Sequence, residues 1–362
     1  MRAAGRPALV RSDPAEPGIR RQRCGRGFRY LHDGAAPVRD ARTLARIKAL
    51  VIPPAWQDVW ICPDAKGHIQ ALGTDAAGRR QYRYHDQWRE ERDQEKHDRV
   101  LAFGRILPCV REVIDHDLRG TELSRERVLS AAIRLIDLGF FRAGSGEYAA
   151  DNGTYGLATI RREHVVCSGD TMVFGYLAKG AKQRELAIVD DQVIGVVRSL
   201  KRRRSGGEEL LAYRDGGRWH DVTATDINDH LHAVTAGDFT VKDFRTWHAT
   251  ILAAVGLAVS AAAAGATARK RAVVRVVREV ADYLGNTPAV ARASYIDPRI
   301  IELYERGVTV EPALADLGKD RGLGELATGG PVERAVLELL AGQSTPTSSA
   351  ATRTRKPSRR SA

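Results

Sequence analysis

Three short segments of the sequence carry side chains that could act on a phosphate group. Arg142 follows two phenylalanines, Arg245 lies in the run Lys-Asp-Phe-Arg-Thr-Trp, and Tyr295 ends a segment that begins Leu-Gly-Asn-Thr-Pro. Arginine presents a planar, permanently charged fork that matches two phosphate oxygens. A tyrosine hydroxyl can act as a nucleophile and form a covalent intermediate. Taken together, the three segments point to chemistry at a phosphorus centre.

Each segment by itself also has an ordinary structural explanation. Arg142 could compensate the dipole of the helix that ends just before it. Arg245 could form a core ion pair with Asp243, two residues earlier. A lone tyrosine on a helix, such as Tyr295, is usually a packing residue. The segments are therefore informative in combination and in order, not singly.

Motifs for several other chemistries are absent from the sequence. There is no GxxxxGK[ST] loop for a nucleotide-driven motor, no HExxH, no compact Asp/Glu cluster for two Mg²⁺ ions, and no GxSxG nucleophile elbow. A protein that works on phosphate without ATP or metal has to stabilise negative charge with its own arginines and lysines. We therefore expect no cofactor and no metal site.

Composition agrees with a protein that binds a polyanion. The 362 residues carry a formal net charge of +12, and 43% of them are hydrophobic, so about two domains with real cores are expected. Nucleic acid is the commonest polyanion partner of such a surface. The four cysteines form no CxxC pair, which argues against zinc and disulfides and fits a reducing cytoplasm. No signal peptide is visible, and the Ala-rich stretch 251–267 is interpreted as a buried core helix.

The composition and the predicted secondary structure change along the chain. Residues 1–25 are expected to be a flexible basic arm, and 26–90 a small domain of short strands and hairpins, with turns at 64–67 and 75–78. The charged stretch 87–99 is either a solvated helix or a linker, and it contains the domain boundary. Residues 91–335 then form a mainly helical domain, and 342–362 a disordered basic tail.

Helix signals surround the candidate groups. Ser124 and Gly139 mark the ends of one predicted helix, and Gly285 ends another whose apolar stripe begins at Val273. Thr287-Pro288 starts a short helix that places Tyr295 about two turns in. The stretch 170–197 is interpreted as a hairpin that continues into an apolar helix, and a second hairpin is predicted around 215–217. The fold class is therefore α+β, with a strand-rich domain followed by a mainly α-helical one.

The order of these motifs resembles the bacterial and poxvirus-type branch of the type IB DNA topoisomerases. The likeness rests on FFRAGSGEYAADNGTYGLAT at 140–159, a hairpin lysine, KDFRTW at 242–247 and LGNTPAVARASY at 284–295. GRRQYRYH at 78–85 is similar to a segment of the family's smaller domain, which clamps DNA. The resemblance implies a catalytic domain like that of the tyrosine recombinases, a monomer acting on double-stranded DNA, and a cytoplasmic, nucleoid-associated enzyme without membrane contact.

The resemblance also implies roles for individual residues. Tyr295 would attack a backbone phosphate and form a 3′-phosphotyrosyl link. Arg142 and Arg245 would hold the non-bridging oxygens, and Asn286 would donate to one of them where poxvirus-like members have His. Lys179 would protonate the departing 5′-oxygen, with Lys182 as the other candidate. DNA contacts are expected from Gln81, Tyr82, Tyr84, Tyr148 and Lys242.

Two other functions fit parts of the sequence. A tyrosine recombinase has a similar catalytic domain, but usually has an HxxR box where this chain has Lys-Asp-Phe-Arg at 242–245, and its N-terminal domain is usually helical. A non-catalytic DNA-binding protein could retain the same fold. Supercoil relaxation and formation of a covalent adduct separate these alternatives from a topoisomerase.

Overall fold

The computed structural model describes residues 8–33, 36–144, 146, 149, 153–261, 265–317, 326 and 329–342. The chain forms two compact units, Met1–Asp98 and Arg99–Ala362. The first unit is built around an antiparallel sheet, and the second is mainly helical with two small sheets. The predicted succession of a strand-rich and a mainly helical region is confirmed.

The N-terminal unit contains one six-stranded antiparallel sheet in the order β3-β2-β1-β4-β5-β6. The predicted turns are present, because the Gly67 and Gly78 N–H groups donate to the carbonyls of Asp64 and Asp75. The strands are β1 (Ile19–Cys24), β2 (Gly27–His32), β3 (Ala36–Pro37), β4 (Gln57–Ile61), β5 (Ile69–Thr74) and β6 (Arg80–Tyr84).

Both faces of the sheet contribute to small cores. Helix α1 (Ala41–Ala49), which the sequence did not predict, begins at Asp40, whose carboxylate accepts the Thr43 N–H at 2.7 Å. Its Ile47 is buried in a cluster of apolar side chains from β1, β4 and β5. Trp60 belongs to a second buried cluster, and its indole N–H donates to the Glu16 carbonyl at 3.0 Å.

The prediction of a flexible basic arm over residues 1–25 is wrong for the second half of that range. Ile19 is fully buried, and Ile19–Cys24 is a central strand paired with β2 and β4. Upstream of it, Val10 pairs with Gly67. Three of the six residues of β1 are arginines, and only its first side chain is buried. The strand therefore lacks the apolar pattern by which it could be predicted from the sequence. Residues 1–7 lie outside the described part of the chain.

The division between the units falls at Asp98/Arg99, within the charged stretch 87–99 that was expected to contain it, although later than residue 90. This position is inside helix α2 (Asp86–Leu118). The charged stretch 87–99 is thus helical. The apolar stripe of α2 begins only at Val100 and continues through Phe103 and Leu107 at helical spacing. The start of this stripe explains why the second compact unit begins there.

The second unit combines helices with two hairpin-based sheets around one large core. Its helices are α3 (Arg125–Gly139), α4 (Asp191–Arg202), α5 (Ala224–Thr235), α6 (Val241–Val259), α7 (Ala266–Leu284), α8 (Pro288–Ser294), α9 (Pro298–Glu305) and α10 (Pro331–Ala341). Its strands are β7 (Val165–Ser168), β8 (Thr171–Ala178), β9 (Lys182–Val189), β10 (Ala212–Asp215) and β11 (Arg218–Asp221).

The predicted helix ends and hairpins in this unit are confirmed. The Ser124 hydroxyl caps α3, which ends at Phe140 in a left-handed conformation (φ 55°). Gly285 ends α7 with φ 63°, and the Thr287 hydroxyl caps α8. The β8–β9 and β10–β11 hairpins lie where the turn residues predicted them, and α4 follows the first hairpin.

The Ala-rich stretch 251–267 is only partly the single buried helix that we expected. Its first part completes α6, but the helix stops at Ser260, and α7 begins after Gly265, whose φ is 85°. Residues 262–264 lie outside the described part. None of the helices within the described ranges is long and apolar enough to span a membrane.

A buried charge network fixes α3 against its neighbours. Asp137 accepts hydrogen bonds from Arg111 (2.7 Å) and pairs with His248 (2.7 Å), and Arg111 also binds Glu333 on α10. Burial alone would raise the pKa of Asp137, but the Arg111 charge and the His248 hydrogen bond hold that pKa well below its ordinary value. The network joins α3 one turn before Phe140 to α6 one turn after Arg245.

Candidate active site

Four positively charged side chains bind successive backbone carbonyls at the C-terminal end of α7. Such an end carries a partial negative charge because its last carbonyls lack helical partners. Each of these carbonyls accepts from a different side chain: Tyr283 from Arg184 (3.2 Å), Leu284 from Arg245 (2.8 Å), Gly285 from Arg142 (3.1 Å) and Asn286 from Lys182 (3.3 Å).

The backbone that leads into Arg142 is anchored by the two phenylalanines before it. Phe140 and Phe141, which precede it, are buried in the core. The guanidinium also donates to the side-chain oxygen of Asn286. Arg142 does lie at a helix C-terminus, as the structural alternative proposed, but that helix is α7 and not its own α3. Burial lowers the pKa of Arg142, the Arg184 charge lowers it further, and Tyr295 opposes this shift.

Arg245 is almost fully buried on α6, with 3% of its surface exposed. It donates to the carbonyls of Phe140 and Leu284, and so joins the ends of α3 and α7. Burial and the nearby Arg142 charge lower the pKa of Arg245 to about 10, so that it remains charged at neutral pH.

The ion pair between Arg245 and Asp243, the structural alternative for this motif, is not formed. One Asp243 oxygen accepts the Thr240 N–H at the start of α6 (2.8 Å), and the other pairs with Arg99 (3.0 Å). Arg245 instead donates to two neutral carbonyls, and no carboxylate among the described residues is bonded to it.

Tyr295 lies directly under the Arg245 guanidinium, whose carbon is 5.3 Å from the centre of the phenol ring. It is the residue that follows α8, not a residue within the helix as predicted, and its N–H closes the last turn on Ala291 (3.0 Å). Burial raises the pKa of Tyr295, but Arg245, Lys242 and Arg142 together bring it below its ordinary value. The side chain is half-buried.

Asn286 is positioned by the turn that ends α7. Its N–H donates to the Ala281 carbonyl at 2.8 Å, across the left-handed Gly285. With its side-chain oxygen bound to Arg142, the amide Nδ2 is buried and has no hydrogen-bond partner among the described residues. A buried donor without a partner costs free energy unless a ligand satisfies it.

The two hairpin lysines, Lys179 and Lys182, occupy different positions relative to the site. Both are exposed and flank the tight β8–β9 turn, in which Gly180 and Ala181 have positive φ. Lys182 reaches the carbonyl of Asn286, whereas Lys179 occupies the first position of the turn. Proximity therefore ties Lys182 to the site, and the assignment of the general acid stays a prediction.

Lys242, one of the expected DNA contacts, belongs to the same site. It is exposed in the first turn of α6, and its charge acts on Tyr295.

The other expected DNA contacts include three residues of the N-terminal unit. Tyr82 and Tyr84 are exposed on β6, with stacked rings 5.9 Å apart. Gln81 donates to the Asp75 carboxylate at 3.0 Å. Tyr148 lies outside the described residues.

Sequence reasoning missed Arg184. It lies on β9, and its guanidinium bonds to carbonyls at the ends of both α7 and α3. In the sequence it stands in an ordinary alternating strand, with nothing to distinguish it from a surface arginine. Within the described ranges no group of three His, Cys, Asp or Glu side chains is arranged to hold a metal ion.

Two protein-family models match the chain. Residues 85–309 match the model described as "Eukaryotic DNA topoisomerase I, catalytic core". Residues 27–75 match "Bacterial DNA topoisomerase IB, N-terminal domain". The first match contains every candidate catalytic residue and covers more than half of the chain.

Individual relatives agree with the family models. The chain is 28% identical over 296 residues to DNA topoisomerase 1B of Acanthamoeba polyphaga mimivirus, covering 80% of this chain and 88% of the relative. It is 21% identical over 256 residues to DNA topoisomerase 1B of vaccinia virus (strain Copenhagen), covering 69% and 76%. It is also similar to DNA topoisomerase 1 of Schizosaccharomyces pombe, with 27% identity over 160 residues, or 44% of this chain and 19% of the relative. The chain belongs to the type IB DNA topoisomerases, enzymes of the isomerase class that act on DNA.

Proposed function

We propose that this topoisomerase relaxes supercoiled DNA by cutting one strand with Tyr295, without ATP or metal. The observation that carries the proposal is the grouping of Arg142, Arg245 and Asn286 at the end of α7, with Tyr295 beneath Arg245. These are the groups needed to bind a phosphate and to attack it.

In the proposed reaction the Tyr295 hydroxyl gives up its proton to water as its oxygen attacks the phosphorus, and the bond from phosphorus to the 5′-oxygen breaks. The product is a 3′-phosphotyrosyl link and a 5′-hydroxyl, which takes its proton from the general acid. Because the tyrosyl ester conserves the energy of the broken bond, the 5′-hydroxyl can displace Tyr295 again without ATP. Rotation of the nicked DNA between the two steps would remove supercoils.

The electrostatics of the site suit an incoming phosphate. Within the described part of the chain, Arg142 and Arg245 donate to backbone carbonyls and an amide oxygen, which hold the guanidinium groups without cancelling their charge. Preorganised donors of this kind stabilise the charge that develops in the transition state. The buried Nδ2 of Asn286 would complete the set by donating to a non-bridging oxygen.

We retain Lys179 as the proposed general acid and Lys182 as its competitor. Loss of the true general acid should lower the single-turnover cleavage rate by roughly 10²–10⁴-fold. The defect should disappear on a substrate with a 5′-bridging sulfur, because a thiolate departs without a proton. Lys179→Ala is expected to behave this way, while Lys182→Ala should lose less rate and show no selective rescue. The opposite pattern would assign the role to Lys182.

The domain roles follow from the same proposal. The catalytic domain would have the tyrosine-recombinase-like architecture and act as a monomer, since one tyrosine cuts one strand. The N-terminal unit would help to clamp the duplex, with DNA contacts at Gln81, Tyr82, Tyr84, Tyr148 and Lys242. Such an enzyme would work in the cytoplasm on the DNA of the nucleoid.

Relaxation of a supercoiled plasmid in EDTA without ATP tests the proposed function. We expect a complete ladder of topoisomers to form under these conditions. A requirement for a divalent metal or ATP would contradict the proposed mechanism. Exchange between paired DNA sites without relaxation would favour a recombinase, and DNA binding with neither reaction would favour a non-catalytic protein.

A further inference from the structure

Arg184 links the three segments that carry the proposed catalytic groups. It lies on β9, opposite Tyr176 in the hairpin that also carries Lys179 and Lys182. One guanidinium nitrogen donates to the carbonyl of Tyr283 near the end of α7, and the other to that of Gly139, the last residue of α3, both at 3.2 Å. The side chain is only partly accessible to solvent.

The two carbonyls lie within one helical turn, in sequence, of the groups that would bind phosphate. Gly139 is three residues before Arg142, and Tyr283 is three residues before Asn286. The guanidinium of Arg184 therefore connects the hairpin to the end of α3, which leads into Arg142, and to the turn that carries Asn286. Only a planar guanidinium offers two donors in this fixed geometry.

The guanidinium groups of Arg184 and Arg142 both lie beside Gly285. A Cβ on Gly285 would lie 3.3 Å from a terminal nitrogen of Arg184 and 3.9 Å from one of Arg142. The two guanidinium groups thus flank the same glycine, whose positive φ ends the helix. Each binds a carbonyl of the same turn, so displacement of Arg184 would disturb the turn that Arg142 and Asn286 share.

We propose that Arg184 is a positioning residue, which holds the hairpin, Arg142 and Asn286 in register for strand cleavage. This inference rests on the proposed function of those residues. Arg184 does not need to touch the DNA phosphate in this role. Misplacement of reacting groups by about 1 Å can cost on the order of 10²-fold in rate, so its loss should affect chemistry more than DNA binding.

Arg162 provides a matched control. It also bridges two backbone carbonyls, those of Arg203 (2.8 Å) and Gly207 (3.0 Å), and it is partly buried. None of the proposed catalytic residues is bonded to it. Removal of Arg162 should therefore cost comparable stability without a selective effect on cleavage.

The test compares Arg184→Ala, Arg184→Lys and Arg162→Ala in single-turnover cleavage of a saturating DNA duplex. For Arg184→Ala we expect a loss of roughly 10–100-fold in rate and a nearly unchanged DNA Kd. Cleavage and religation should slow together, which leaves the covalent fraction at equilibrium unchanged. Low concentrations of guanidinium chloride should restore part of the rate, while Arg184→Lys should remain impaired because an ammonium cannot reproduce the fork.

An Arg184→Ala rate within about twofold of wild type, or equal losses in Arg184→Ala and Arg162→Ala at matched thermal stability, would overturn the positioning role. A changed covalent fraction at equilibrium would also overturn the positioning role, because it would mean that cleavage and religation are affected unequally. If Arg184→Ala does not fold, the lysine variant and its covalent fraction decide the question. Failure of the wild-type protein to cleave through Tyr295 is a distinct result, which would remove the proposed function itself.

Discussion

Tyr295→Phe should abolish both supercoil relaxation and the covalent protein–DNA complex. The substitution removes a single oxygen atom, and with it the only atom of this side chain that can attack phosphorus. Phenylalanine preserves the ring beneath Arg245. The backbone bonds of residue 295, to Ala291 and from the Thr250 hydroxyl, do not involve the lost atom. The variant should therefore fold and bind DNA like the wild type.

Tyr213→Phe is the appropriate control for this variant. Tyr213 lies on β10 and stacks on His220, and none of the proposed catalytic residues is among its aromatic or cation–π partners. It loses the same hydroxyl group and should keep wild-type relaxation. Relaxation by Tyr295→Phe at the wild-type rate would exclude Tyr295 as the nucleophile.

Alanine at Arg142 or at Arg245 should lower the single-turnover cleavage rate by about 10²–10³-fold or more. Both side chains are preorganised beside Tyr295, and among the residues that the structure describes no carboxylate is bonded to either of them. Their charge is most useful in the transition state, when negative charge grows on the phosphoryl oxygens. Arg245→Lys should also be slow, since lysine keeps the charge but not the fork that binds the carbonyls of Phe140 and Leu284.

DNA affinity should change much less than rate in these variants, because many other cations of a basic protein contact phosphates. Arg278→Ala is a matched control, since it removes one exposed arginine from α7, the helix whose end forms the site. It should cleave at nearly the wild-type rate. A parallel fall of rate and affinity in Arg142→Ala would instead make Arg142 a binding residue.

Local sequence signals predicted the elements around the site well. Ser124, Gly285 and Thr287 act through short-range capping, which depends on neighbouring residues only, and the structure confirms all three. The β8–β9 hairpin was equally visible, because its turn residues and its alternating strands are adjacent in the chain.

Features that depend on distant contacts were missed. β1 is a strand because β2 and β4 pair with it, although its sequence is rich in arginine. The sequence placed Tyr295 within α8, but the residue follows the helix. The ends of a helix are harder to predict from sequence than its presence. Arg184 acquires its partners only when α3 and α7 end next to β9, which no local pattern encodes.

Mapping the covalent adduct identifies the nucleophilic side chain itself. The protein would be trapped on a duplex in which the fragment on the 3′ side of the break, which carries the 5′-hydroxyl, is short and dissociates after cleavage. The complex would then be digested with protease, and the DNA-bearing peptide sequenced by mass spectrometry. We predict one adduct, on Tyr295, which retains the DNA with the 3′-phosphate at the break and leaves a free 5′-hydroxyl on the other strand end. An adduct on another residue, or one joined to the 5′ end of the break, would contradict the proposal.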